Sequence, residues 1–147
     1  MTSLSFMVLE WAMKLEVSSS VIDAMLREAA KAAPHEACGV LLGRVDAALA
    51  HIVGIKPAAN VATTPHIHFE IDSQTLIDCH RDARSGGPAV VGYYHSHPTG
   101  PASPSATDRS QAAGDRRVWA IIGEGQVRFW HDTADGFAEL SCVIIPG

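Results

Sequence analysis

Residues 95 to 108 read HSHPTGPASPSATD: two histidines, a loop studded with proline, then a serine and an aspartate three apart. Imidazoles two residues apart at the end of a strand project from one face, with Cα atoms about 6.6 to 6.8 Å apart, while Ser96 between them points the other way. His95 and His97 can therefore share one ion. A helix opened by Ser105 puts Asp108 one turn in, on the face of Ser105, so both look back toward the histidines. Zinc takes tetrahedral nitrogen and oxygen ligands, and catalytic sites commonly draw three from protein and leave the fourth position to water. His95, His97 and Asp108 meet that specification. Pro98 stops the strand directly after the second histidine, and Pro101 and Pro104 stiffen the loop between the ligand pairs.

Each fragment alone has a plainer reading. An HxH pair is common on wet strand faces, and SATD is what an N-cap followed by an acid at the third helical position looks like. Their conjunction favours a metal centre. A second pair, in HIHFE, places His66, His68 and Glu70 on one face of an alternating strand, but the outer two lie about 13 Å apart there, too far to share an ion. That stretch is expected to be the polar face of a strand, lining a substrate groove rather than holding metal. Cys38 is expected to be a small buried thiol, and Trp119, Phe129 and Trp130 core or sheet-face residues.

The elements that must position these residues follow from patterning. SSSVIDAMLREAAKAAP has serines suited to capping, then an apolar helical stripe through Val21, Ile22, Met25, Leu26 and Ala29 that Pro34 closes. EACGVLLGRVDAALAHIVGI predicts a hairpin turning near residues 44–47, and KPAANVATTP a loop. HIHFEI alternates as a strand; DSQTLIDCHRDARSGG is a helix capped by Asp72 or Ser73 and stopped by Gly86 and Gly87; AVVGYYHSH is a buried strand. Beyond the helix at Ser105, RVWAIIG, QVRFWH and FAELSCVIIP are three strands. Hairpins mixed with crossovers predict an α/β or α+β domain on a curved, mixed β-sheet flanked by helices.

Composition sets limits. With 147 residues, 47% hydrophobic and 18% charged, the chain suits one domain with a sizeable core and no need of disulfides. A net charge of -5 with only 11 Lys and Arg argues against binding nucleic acid through its phosphates. Cys38, Cys79 and Cys142 are too scattered for a disulfide framework and form no CxxC pair, so the expected compartment is the cytoplasm. No apolar run approaches the roughly 20 residues of a membrane helix. Residues 1–15 lack the positive front of a signal peptide, and Glu10 interrupts their apolar run; they are expected to be an N-terminal extension before a domain at 16–147, with Met7 and Met13 as possible later starts.

HSHP, six residues, serine, two residues, aspartate matches the signature of the JAMM (MPN-plus) metallopeptidases without departure, and Glu36 in PHEACGVLLG stands where those enzymes carry an upstream glutamate. The chain resembles that family over about residues 16 to 145. The resemblance implies one zinc ion on His95, His97 and Asp108, a fold akin to cytidine deaminase, and hydrolysis of peptide or isopeptide bonds, often beyond the tail of a ubiquitin-like protein. It gives Glu36 the role of general base and proton shuttle, and Ser105 that of hydrogen-bond donor to the oxyanion.

Only 58 residues separate Glu36 from His95 and 39 follow Asp108, leaving little room for the insertions that grip ubiquitin in eukaryotic members. The compact form is more similar to bacterial members that act on the C-terminus of sulfur-carrier proteins. The alternative is a catalytically silent MPN-type interaction module, but such modules lack the ligands. A DNA-repair relative carries HNHP instead, and zinc deaminases present a PCxxC ligand pair that is missing here.

Overall fold

The computed structural model describes residues 14–147. The helical stripe folds as α1 (Ser19–Ala32), burying Val21 and Met25, with Ile22, Leu26 and Ala29 packed against the same core. Ser18 occupies its N-cap without making a side-chain cap bond, because the hydroxyl turns to His51 Nε2 at 3.5 Å. The strand before it, β1 (Lys14–Ser18), begins two residues ahead of the expected boundary and already buries Leu15. The rest of the expected N-terminal extension, 1–13, lies outside the described residues.

The expected hairpin is β2 (Cys38–Val45) and β3 (Leu49–Ala58); it runs three residues further than its patterning suggested, through Lys56, Pro57 and Ala58. Then come α2 (Ser73–Arg84), capped by Asp72 on Thr75 N, β4 (Ala89–Ser96) and α3 (Ala106–Gln111). The remainder is β5 (Val118–Gly123), β6 (Gln126–Thr133), β7 (Gly136–Leu140) and β8 (Cys142–Ile145). Two expectations fail. HIHFEI is no strand: it is turn and coil, with an isolated β-bridge from Ile71 to Asn60. FAELSCVIIP is two strands, parted at Ser141.

That second failure has a topological cause. The strand order is β7-β6-β5-β4-β2-β3-β1-β8, so the two halves of one apolar run sit at opposite edges of an eight-stranded sheet. Laid flat, eight strands would separate those edges by about 34 Å, whereas Leu140 and Cys142 are two residues apart and so within about 7.6 Å. The sheet therefore curls until its edges meet at Ser141. Inside the curl, α1 packs with Leu15, Val17, Leu41, Ile52, Tyr94 and Phe129. On the outer face, α2 brings Cys79 and Leu76 against Val40, Val90 and Tyr93.

In β4 both Val90 and Tyr93 face α2, a spacing of three that breaks strict alternation. A register shift opposite Leu41 and Leu42 absorbs the extra residue. Beyond this bulge normal alternation resumes, which sends His95 to the outer face and Ser96 inward. The antiparallel register of β2 on β4 sets Cys38 opposite His95, so the segment just before β2, which carries Glu36, arrives beside the histidines.

Candidate metal centre and catalytic site

The four predicted polar side chains and Ser105 come together at the carboxyl end of β4. His95 is fully buried; Asp108 and Glu36 retain 4% and 6% exposure. Strand β4 ends at Ser96, one residue short of His97, yet His97 N–H still donates to Ile122 O at 2.7 Å and keeps its imidazole beside its neighbour's. His95 Nε2 lies 3.1 Å from His97 Nε2 and 3.0 Å from Asp108 Oδ1, and His97 Nε2 lies 3.1 Å from Asp108 Oδ2. Glu36, His95 and His97 each offer a ligand atom within 4.8 Å of the others.

Local structure explains the aim of each group. Ser105 and Asp108 form a capping box: Ser105 Oγ accepts from Asp108 N–H at 3.0 Å, and Asp108 Oδ2 accepts from Ser105 N–H at 2.9 Å. The plain N-cap reading and the ligand reading of SATD therefore hold together, since the cap is what turns the carboxylate toward the histidines. Glu36 is fixed through its backbone. Its N–H donates to Pro65 O at 2.7 Å, and its carbonyl accepts from Asn60 Nδ2 at 3.0 Å. Next to it, Ala37 N–H donates to Ser96 Oγ at 2.8 Å while Ser96 N–H donates to Ala37 O at 3.0 Å. The middle residue of HSH thus clamps the glutamate segment to the strand of the histidines.

The donor set fits a metal. Ligand atoms around tetrahedral zinc with bonds near 2 Å lie about 3.3 Å apart, close to the 3.1 Å between the two Nε2 atoms and the 3.0–3.1 Å from each to its own Asp108 oxygen. His97 Nδ1 lies 2.8 Å from Pro101 O, and a carbonyl only accepts, so this nitrogen carries the hydrogen. In a neutral ring Nε2 then presents a lone pair to a carboxylate oxygen and a second imidazole, an arrangement that calls for a cation or a shared proton between them. Among the described residues His95 Nδ1 is buried with no hydrogen-bond partner; its ring is held instead by Phe69, stacked at 4.2 Å, and the edge of Trp119.

Electrostatics separates the two carboxylates. Burial pushes Glu36 up to about 7, with the charge of His97 pulling against it. For Asp108 burial acts in the same direction, but hydrogen bonds with His95 and His97 outweigh it and hold the group well below the usual carboxylate range. One acid is thus poised to exchange protons near neutrality while the other stays charged. Burial lowers His95, whereas in His97 the bonds to Asp108 and the Pro101 carbonyl overcome it and raise the ring.

Among the described residues the second histidine pair joins no group placed to hold a metal. His66 is exposed, while His68 Nε2 meets Gln111 Nε2 at 2.6 Å and links the 60–71 loop to α3. Without a strand there, the expected polar face does not exist, although the loop does border the site. Cys38 is the buried thiol expected, lying 3.7 and 3.8 Å from the carbonyls of Ala59 and Ala58 and pushed up to about 12 by burial. Glu36 and Cys38 also wall a cavity of about 280 Å³ with Lys31 and His35. A larger one, about 750 Å³, lies by Arg44, His51 and Pro88, away from the converging groups. Residue types alone did not reveal Asn60. Its amide donates to Glu36 O, Pro65 O and His68 O, and its oxygen accepts from Ala62 and Glu70 N–H, all within 3.0–3.3 Å.

A β4–α3–β5 crossover carrying two histidines and an aspartate, with a glutamate delivered by the segment before β2, gives the curled sheet the residue layout of a JAMM-type site that could hold a metal ion. Residues 18–133 match the family model described as prokaryotic homologs of the JAB domain. The chain belongs to that family. It is 34% identical over 136 residues to a desampylase of Haloferax volcanii, covering 89% of this chain and 96% of that one. To a probable TtuB-protein conjugate cleaving protease of Thermus thermophilus it is 32% identical over 104 residues, 71% of this chain and 64% of the relative. The solution structure of a Desulfitobacterium hafniense protein superposes with a TM-score of 0.81 at 28% identity, over 90% of this chain and 94% of the other.

Proposed function

We propose that this chain is a zinc-dependent peptidase that cleaves a peptide or isopeptide bond at the C-terminal tail of a ubiquitin-like or sulfur-carrier protein. The observation that carries the reading is the cluster of His95, His97 and Asp108, each histidine Nε2 3.0–3.1 Å from an Asp108 oxygen, beside the buried carboxyl of Glu36. Similarity to a desampylase and to a protease described as cleaving TtuB-protein conjugates supports the substrate class. Three unpaired cysteines suit the reducing cytoplasm, and among the described residues no helix is long and apolar enough to cross a membrane.

His95, His97 and Asp108 hold the ion. Zinc, when bound, supplies Lewis acidity, polarising a carbonyl and making a nucleophile of water at neutral pH. Glu36 takes the proton from the attacking water through its carboxylate and returns it to the nitrogen of the departing amine. Ser105 Oγ already accepts from the Asp108 amide, which leaves its own hydrogen to donate to the oxyanion. The buried setting strengthens each of these interactions. A silent scaffold would have no need for this arrangement of ligands and base.

The test is metal analysis of the purified protein beside cleavage of a ubiquitin-like carrier with a C-terminal extension. The reading requires one zinc per chain and cleavage that chelator stops and zinc restores. Cleavage that persists in chelator, or a carrier left intact by zinc-loaded protein, contradicts it.

A further inference from the structure

We infer that Gly123 and Trp130 are positioning residues for the metal centre, holding the Pro101 carbonyl where it fixes which ring nitrogen of His97 carries the hydrogen. The inference rests on the metal-site reading above and goes beyond its ligands.

The carbonyl belongs to a loop, residues 98–104, with no regular structure of its own. Two contacts from the neighbouring strands locate it. At the end of β5, Gly123 presents bare backbone to the loop: a Cβ there would fall 2.6 Å from the Pro101 carbonyl carbon and 2.8 Å from the Ala102 nitrogen, and closer still to the Gly100 oxygen. Backbone cannot yield as the tip of a flexible side chain can, so any larger residue must lift the loop. From β6, Trp130 Nε1–H donates to Ala102 O at 3.1 Å and ties down the next residue. Arg128, 5.0 Å over the indole and paired with Glu139 at 2.7 Å, braces that ring.

The consequence falls on His97. Its Nδ1–H donates to Pro101 O at 2.8 Å, which leaves the Nε2 lone pair directed at Asp108 Oδ2 and His95 Nε2. A lifted loop removes the acceptor, and the ring is then free to rotate or to place its hydrogen on Nε2, where it cannot bind metal. His95 offers no compensation, because its own Nδ1 has no partner among the described residues and its ring is held by stacking.

The experiment measures zinc affinity by chelator competition for the native protein, Gly123→Ala, Trp130→Phe and the control Gly54→Ala, whose added methyl meets nothing within 4 Å. The His97 Nδ1–H resonance of the zinc-loaded protein is followed in parallel. Losing an outer-shell partner of a metal ligand weakens binding about 10- to 100-fold. Gly123→Ala should fall in that range and Trp130→Phe should lose several-fold, both with a shifted or faster-exchanging Nδ1–H, while Gly54→Ala matches native. Should Gly123→Ala not fold, Trp130→Phe decides by the same two readouts. Variants that bind within about twofold of native with the resonance unmoved, or a control that weakens equally, overturn the inference and leave the metal site standing. A native protein that takes up no zinc overturns both.

Discussion

Folding penalises the charge on Glu36. Its carboxyl is nearly excluded from water and shares its surroundings with Asp108, so it titrates at about 7 against 4.5 in an unfolded chain. Between those values the folded protein keeps a proton that the unfolded chain has released. Glu36 thus contributes stability that is full below pH 4.5 and lost as pH rises to about 7. Glutamine carries no such charge. The metal-free Glu36→Gln protein should match native near pH 4 and exceed it at pH 8, by up to about 3 kcal/mol, as read by urea melts in chelator. A difference that does not change with pH contradicts the environment assigned to this acid. The convergence of His95, His97 and Asp108 was legible because HSHP, Ser105 and Asp108 stand within fourteen residues. Glu36 came only through family resemblance, because no local pattern shows that pairing of Cys38 with His95 will bring the segment before β2 beside the histidines.

At the scale of elements, a six-residue helix carries two tasks. The capping box that starts α3 also directs Asp108, so Ser105→Ala removes a cap and a proposed oxyanion donor together. The expected losses separate by measurement: about 1 kcal/mol in stability, typical of a lost N-cap, and about 100-fold in kcat with KM little changed if the hydroxyl serves the transition state. A kcat within a few-fold of native would leave Ser105 as a cap only. Elements with a sustained period, such as α1, α2 and the β2–β3 hairpin, could be read from sequence. HIHFEI could not. It alternates like a strand, but Asn60 claims the backbone of Pro65, His68 and Glu70 that a ladder would need, and Phe69 leaves the pattern to stack on His95. Side-chain competition for backbone groups leaves no trace in hydrophobic periodicity.

For the whole molecule, the curl of the sheet is what sequence concealed most. The apolar run from Phe137 to Ile145 gives no sign that Ser141 divides it between opposite edges, since burial on either edge demands the same residue types. That closure draws hairpin β2–β3, strand β4 and the β4–β5 crossover into one body, and the proposed metal centre joins these three parts. Metal should therefore stabilise the entire domain. At 100 times its dissociation constant zinc adds about 2.7 kcal/mol, or about 5 to 10 °C in Tm for a chain of this size. Calorimetry with and without chelator should show this shift in native protein and its loss in His97→Ala. An equal shift in both would place zinc elsewhere.

The most direct test of a metal-assisted hydrolase with Glu36 as its base is the turnover of zinc-loaded Glu36→Gln protein on the extended carrier, with zinc content assayed on the same sample. The account predicts one bound zinc and cleavage slowed by about 10²- to 10⁴-fold. Full zinc occupancy with cleavage at the native rate would contradict it.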